Sequence, residues 1–113
     1  MTKYLLTFPA RAMQVPDAEM PEVSAQSHAL IAEAKAAGVY VFGGGIAADV
    51  PPVRIAADGT RRRETYPQTR ELDGGVLVLE VATRDDALEW ARRFAVACRC
   101  DQEVREFGYD PAS

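Results

Sequence analysis

Apolar residues follow two different spacings along the chain, and together these predict four strands and two helices. Short segments of β-branched and aromatic residues favour strands over residues 3–8, 39–42, 75–81 and 103–107. Two longer segments repeat apolar residues at helical spacing, which predicts a helix over residues 21–37 and a second helix that begins after Thr83. Strands and helices therefore alternate along the sequence.

The ends of both helices carry recognisable signals. Pro21 suits a first helical turn, and Gly38 suits the position just past a helix end. Thr83 is a good N-cap, and Asp86 three residues later gives a weaker version of the capping box. Each helix has one apolar stripe, which predicts that both pack on a sheet through these residues: Val23, Ser27, Leu30, Ile31 and Ala34 in the first, and Ala87, Ala91, Phe94 and Cys98 in the second.

A hairpin is inserted between the second and third of these strands. Asp58-Gly59 favours a tight turn with positive φ, and residues 53–56 and 60–65 flank it as strands. Without the insertion, the order is the split βαβ plan with two helices on one face of an antiparallel sheet. The predicted fold class is therefore α+β, ferredoxin-like, with a sheet of five to six strands when the hairpin is counted.

The predicted sheet has one face that the helices do not cover. Its strands are apolar on both sides, and a sheet that is apolar on both faces needs a second cover. Few residues remain to supply that cover. We therefore expect a homodimer in which two sheets pack face to face.

Composition limits the class of protein without naming a reaction. The 113 residues suit one domain, 1–113, and 48% hydrophobic with 27% charged residues is typical of a soluble folded protein. The sequence has no apolar run long enough for a membrane span and no signal peptide, and its two cysteines suit the reducing cytoplasm. The net charge of −4 argues against nucleic acid as a partner. Cys98 and Cys100 lack the further ligands of a zinc site, so no metal or cofactor is predicted.

Several short segments carry a resemblance to a known family: Lys3-Tyr4-Leu5-Leu6, the helix with His28 that ends in Ala36-Ala37-Gly38-Val39, residues 69–75, residues 87–91 and Glu103-Val104-Arg105. In this order and spacing the chain resembles the YCII-related domain family, in the branch named for an Asp-Gly-Pro-Phe motif. That motif is not retained, since Arg63-Glu64-Thr65-Tyr66 stands in its place. The resemblance implies a dimeric α+β barrel and, in a few members, histidine-dependent chemistry on small aromatic or lactone-like compounds.

The first helix holds the strongest candidate for chemistry. His28, the only histidine, lies at the margin of the apolar stripe beside Ser24 and Ile31, where a side chain can face a groove between helix and sheet. Histidine is suited to proton transfer at neutral pH. We take His28 as a candidate general acid/base and Ser24 as a candidate ligand-binding neighbour. The alternative is a partly exposed histidine without a catalytic role.

The resemblance supplies three more candidates in the segment before the strand at 75–81, a region that the family uses to line its cavity. Tyr66 and Thr69 are candidate ligand-binding residues, and Glu71 is a candidate proton acceptor or partner that orients His28. Ordinary loop packing is the alternative for all three.

Glycines and arginines give two further candidate groups. Gly43-Gly44-Gly45 follows a strand but lacks the spacing and the following helix of a phosphate-binding loop, so Gly44 and Gly45 are assigned to a bulge or a pocket rim. Arg63 lies in a run of three arginines whose side chains alternate between two faces, which favours a solvated strand edge. Alternatively, Arg63 contacts an anionic ligand if the hairpin reaches over a partner's groove.

Two functional hypotheses follow. In the first, a small cytoplasmic homodimer binds an organic molecule in one cavity per subunit, and His28 catalyses an elimination or isomerisation without a cofactor. In the second, the protein is a non-catalytic ligand-sensing or accessory domain linked to transcriptional regulation.

Overall fold

Two helices lie on one face of a four-stranded antiparallel sheet in the computed structural model, which describes all 113 residues. The elements follow the predicted order: β1 (Thr2–Phe8), α1 (Met20–Ala36), β2 (Tyr40–Gly45), β3 (Arg54–Ile55), β4 (Arg61–Arg62), β5 (Gly75–Val81), α2 (Arg84–Cys98) and β6 (Glu103–Glu106). The order in the sheet is β2-β5-β1-β6, with β5 and β1 at the centre. This small α+β arrangement is consistent with a ferredoxin-like fold.

The core forms between the central strands and the helices. Leu6 pairs with Leu77 and Tyr4 with Leu79 across β1 and β5, and all four side chains are buried on the helix-facing side. The helices close this core with their predicted stripes: Val23, Leu30 and Ala34 from α1, and Ala87, Ala91, Phe94 and Ala97 from α2. The last buried position of α2 is therefore Ala97, while the predicted Cys98 is half-buried, because the stripe drifts around the helix in its final turn.

Local signals fix the ends of the helices. The Thr83 hydroxyl accepts a hydrogen bond of 3.1 Å from the Asp86 backbone N–H, as the N-cap prediction requires. Gly38 follows α1 with a φ of 75°, and α1 begins one residue earlier than predicted, at Met20. Neither helix combines the length and apolarity that a membrane-spanning segment requires.

The predicted hairpin exists, but it stands apart from the main sheet. Gly59 has a φ of 89°, and the Thr60 N–H donates to the Asp58 carboxylate at 2.9 Å, which stabilises the turn. β3 and β4 have only two residues each and pair with each other alone. The expectation of a five- to six-stranded sheet is therefore wrong, because Pro51 and Pro52 separate the hairpin from β2.

The face of the sheet opposite the helices carries apolar side chains, as the strand pattern indicates. Leu5 pairs with Val78 on this face, and Phe42 pairs with Val78 from the other side. Phe42 is 63% exposed, whereas Leu5 and Val78 are half-buried by their neighbours. We refer to this surface as the open face.

Candidate functional site

A cavity of about 610 Å³ lies between the sheet and the helices, at the end where β1 finishes and β5 begins. Its volume is within the range of ligand pockets, roughly 300–1,000 Å³. Most of its lining is apolar, with contributions from these residues: Leu6, Phe8, Met13, Met20, Val23, Ile31, Ile46, Leu77 and Phe94. Its polar lining includes Ser27, His28, Asp73, Cys98 and Gln102. An apolar pocket with a few polar groups is suited to a small organic molecule.

Glycines at the end of the sheet leave the space for this cavity. Gly45 pairs with Gly75 and Gly44 with Val76, so this end of β2 contributes no side chains beneath α1. A Cβ atom at Gly44 or Gly45 would meet nothing within 4 Å, whereas one at Gly43 would lie 2.9 Å from Leu77 Cδ1. Gly44 and Gly45 therefore form part of the cavity wall, and the β-bulge of β2 occurs earlier, between Tyr40 and Phe42.

His28 lies in the third turn of α1 and lines the cavity from its solvent-exposed margin. Ser24, one turn earlier, places its hydroxyl oxygen 3.4 Å from His28 Nδ1. Because serine can donate or accept, this contact can hold either neutral tautomer of the imidazole. Ser24 itself is exposed and does not line the cavity, so it acts on the site through His28.

The carboxylate that shares the cavity with His28 belongs to Asp73, a residue that the sequence-based prediction missed. Asp73 Oδ1 accepts a hydrogen bond of 2.9 Å from the Ala10 backbone N–H, which holds the carboxylate against the end of β1. Gly74 makes this approach possible, since a Cβ atom there would lie 2.3 Å from the Phe8 carbonyl oxygen. An Asp followed by Gly-Gly just before a buried strand is the signal that could have indicated it.

Glu71 and Thr69 lie outside this cavity. Glu71 forms an ion pair with Arg11, with a distance of 2.8 Å between Arg11 Nε and the carboxylate. Glu71 and Thr69 line a second cleft of about 470 Å³, next to Leu5 and Thr7 of the open face. The structure therefore does not bring Glu71 to His28.

Arg63 and Tyr66 lie at the base of the hairpin, also outside the cavity. The Tyr66 ring is 63% exposed and stacks against the guanidinium of Arg54, 5.1 Å from its centroid. Arg54 also forms an ion pair of 3.2 Å with Glu64, while Arg63 is exposed to solvent. Neither candidate contacts His28 within one copy of the chain.

The two cysteines are free thiols, and Cys98 lines the cavity. Burial raises the pKa of Cys98, and burial together with the charges of Cys98 and Asp101 raises the pKa of Cys100 to about 11. Both thiols are thus protonated at neutral pH, which makes them weak nucleophiles. Nowhere in the chain do three His, Cys, Asp or Glu side chains form a metal-binding cluster.

Fold and cavity together define a small ferredoxin-like α+β protein with a pocket of ligand size between its sheet and helices. No protein-family model and no curated protein sequence matches the chain. Among solved structures it is similar to 5-chloro-2-hydroxyhydroquinone dehydrochlorinase (TftG) from Burkholderia phenoliruptrix AC1100, in complex with 2,5-dihydroxybenzoquinone. The TM-score is 0.50 at 14% sequence identity, and the alignment covers 97% of each chain. This similarity shows a common fold over nearly the whole length.

Proposed function

We propose that the protein binds a small, largely apolar organic molecule in the cavity and that His28 acts there as a general acid/base without a cofactor. The cavity carries this proposal, because it joins an apolar wall of ligand size to a histidine and a carboxylate. Its apolar wall favours a planar or compact ring compound over a highly charged metabolite. The fold of a dehydrochlorinase that holds a dihydroxybenzoquinone is compatible with this class of ligand.

The proposed reaction is an elimination or isomerisation that begins with proton transfer. Neutral His28 removes a proton from a carbon or hydroxyl of the bound ring, and the released electron pair forms a new double bond. In an elimination from a keto form of the ring, the C–Cl bond of a tetrahedral carbon breaks as that double bond forms, and chloride leaves with the bonding pair. In an isomerisation, the imidazolium returns the proton to another atom of the ring. Asp73 lines the same cavity, and its negative charge would stabilise the imidazolium that forms.

We further propose that the chain is a member of the YCII-related family and works as a homodimer. The sequence resemblance supports the family, and the fold shared with the dehydrochlorinase is compatible with it. The open face supports the homodimer, since Phe42, Leu5 and Val78 form an apolar surface that the chain itself leaves uncovered. A second copy would cover it, and two-fold symmetry requires that the face is covered in the same way on both copies.

The binding proposal is tested by calorimetry with 2,5-dihydroxybenzoquinone as the probe. A Ser27→Phe variant adds a ring inside the cavity, while Ala25→Phe adds the same ring to the exposed side of α1. We expect Ser27→Phe to weaken binding at least about tenfold, since it fills space that the ligand needs, and Ala25→Phe to bind like the wild type. Equal binding by all three proteins would contradict the use of this cavity.

The catalytic proposal is tested separately, by chloride release from 5-chloro-2-hydroxyhydroquinone. His28→Gln keeps a polar side chain of similar reach but cannot act as a base near neutral pH. We expect this variant to retain ligand affinity within a few fold and to lose about 100-fold or more in turnover, in the range typical of general acid/base catalysis. Turnover by His28→Gln that equals wild type would remove His28 from the reaction.

A second candidate function is binding without catalysis, in a ligand-sensing or accessory role linked to transcriptional regulation. One observation favours it: the hydrogen-bonding neighbour of His28 is the Ser24 hydroxyl, and no carboxylate orients the imidazole. If the wild type binds the probe and releases no chloride from the chlorinated compound above the uncatalysed rate, this second function is preferred.

A further inference from the structure

The segment of residues 46–66, which contains the β3–β4 hairpin and which we name the arm, extends away from the rest of the chain. β3 and β4 form hydrogen bonds with each other only, so the tip of the arm is not part of the main sheet. The whole chain measures 43 × 43 × 19 Å with a radius of gyration of 15.6 Å. A compact domain of this length would have a radius of about 13 Å.

The two sides of the arm differ in character. On one side, Arg54 stacks on Tyr66 and pairs with Glu64, so its charge and its ring contact are satisfied within the arm. On the other side, Val53 is 50% exposed and Ile55 is 65% exposed. Val50 at the base of the arm is 64% exposed. The second side is thus an apolar strip that the chain does not cover.

The exposed surface of the whole chain is larger than that of an independent monomer. It amounts to 7996 Å², and only 13 of the 113 residues are buried. The general scaling of surface with mass gives about 6,100 Å² for a monomer of this size, which leaves an excess of about 1,900 Å². A standard interface covers about 800 Å² per partner. The excess is more than twice that area, and it falls in the range of about 1,000–2,500 Å² per partner that obligate homodimers bury.

The arm also differs from the remainder of the chain in its net charge. Residues 46–66 contain four arginines and three carboxylates, a net charge of +1, so the other 92 residues carry −5 of the total of −4. Arg61 lies opposite Ile55 in the hairpin, next to the apolar strip. A basic, apolar arm is complementary to the acidic body of an identical chain and is repelled by an identical arm.

We propose that the apolar side of the arm, formed by Val53 and Ile55, docks on the open face of a second copy of this chain. By two-fold symmetry, the second copy's arm docks on the first, so each pair of copies makes the contact twice. This inference builds on the homodimer proposed above and assigns a function to the hairpin insertion that the ferredoxin-like plan does not require.

Sedimentation equilibrium of Ile55→Asp and of Val96→Asp tests the docking. Val96, 61% exposed on α2, is a matched control, since both substitutions replace an exposed β-branched side chain with a carboxylate outside the core. We expect a wild-type dimer whose dissociation constant rises about a hundredfold in Ile55→Asp, because the change occurs twice per dimer. Val96→Asp should match the wild type, and circular dichroism should show all three proteins folded.

A Phe42→Asp variant distinguishes this inference from the homodimer on which it builds. If Phe42→Asp dissociates the dimer while Ile55→Asp leaves it intact, the open-face dimer stands and the docked arm is rejected. A wild type that remains monomeric at high concentration rejects both, whereas binding of the probe to the cavity is measured independently of either.

Trypsin gives a second measurement that does not depend on the dissociation constant. Arg61, Arg62 and Arg63 are exposed in a single copy and offer adjacent cleavage sites. In a docked arm they are protected, so we expect cleavage there to be at least about ten times faster in Ile55→Asp than in Val96→Asp. Equal cleavage rates in the two variants would overturn the proposal.

Discussion

Gly74 is a glycine at which an added Cβ atom would overlap neighbouring backbone atoms. A Cβ atom at this residue would lie 2.3 Å from the Phe8 carbonyl oxygen, 2.7 Å from the Ala10 nitrogen and 2.8 Å from the Pro9 carbonyl carbon. All three are backbone atoms, so rotation of a side chain cannot relieve the overlap. Gly74→Ala must therefore separate the start of β5 from the end of β1.

Two effects of the substitution lower the free energy of unfolding, and a third partly offsets them. Inserting a methyl group into tightly packed surroundings costs about 1–3 kcal/mol. Moving Ala10 away from Asp73 also weakens their 2.9 Å hydrogen bond, a contribution of about 1 kcal/mol. Alanine restricts the unfolded chain more than glycine, which returns about 0.4–1 kcal/mol. The net expectation is a loss of about 1–3.6 kcal/mol in the free energy of unfolding, centred near 2 kcal/mol.

Urea denaturation followed by circular dichroism measures this loss, and Gly45→Ala is its control. Gly45 belongs to the same end of the sheet, but a Cβ atom there meets nothing within 4 Å. We expect Gly45→Ala to be neutral or more stable by up to about 1 kcal/mol, and Gly74→Ala to melt roughly 10 °C below the wild type. If Gly74→Ala unfolds within about 0.5 kcal/mol of the wild type, the close packing around Asp73 is not as described.

Three further predictions concern single contacts. Thr83→Ala removes the N-cap of α2 and should lower the free energy of unfolding by about 1 kcal/mol in the same urea assay, whereas Thr83→Ser should restore most of it. The hydrogen bond from Arg93 lowers the pKa of Glu33, so the stability that this pair adds is present above about pH 4.5 and is lost as the pH falls through the folded-state pKa. The difference between wild type and Glu33→Gln in urea titrations should accordingly shrink below that pH. Since the pKa of Cys100 is about 11, its labelling by a disulfide reagent at pH 8.5, followed by peptide mass spectrometry, should be about a hundredfold slower in the folded protein than in urea.

Elements whose signals are local could be predicted from the sequence. β5 covers the same residues as its apolar run, and Thr83 caps α2 as its sequence position indicates. The hairpin turn at Gly59 was also predictable, but not the length of β3 and β4, which depends on whether a neighbouring strand is available to extend the pairing. None is available, because the arm leaves the sheet.

The candidate site was predictable only in part. His28 lies at the edge of a helical stripe, and such a position follows from periodicity alone. Glu71 was named as the candidate carboxylate and Asp73 was not, since both precede β5 and the sequence does not show which one lines the cavity with His28. That choice depends on two tertiary contacts: Arg11 holds Glu71 at the second cleft, and the Ala10 N–H holds Asp73 at the cavity.

The cavity and the arm meet at Ile46, so the proposed ligand binding and the proposed dimer formation would be interdependent. β2 ends at Gly45 in the cavity wall, and the arm begins at the next residue, Ile46, which lines the cavity and donates its N–H to the Gly74 carbonyl at 2.8 Å. In the proposed dimer, docking of the arm on a second copy would fix the direction in which the chain leaves Ile46, and thereby the position of one side of the cavity. By thermodynamic linkage, a ligand that binds the dimer more tightly must strengthen the dimer by the same factor. Saturation with 2,5-dihydroxybenzoquinone should therefore lower the dissociation constant of the wild-type dimer in sedimentation, and Ser27→Phe should abolish this shift. A dimer whose dissociation constant is unchanged by saturating ligand would show that Ile46 does not couple the two.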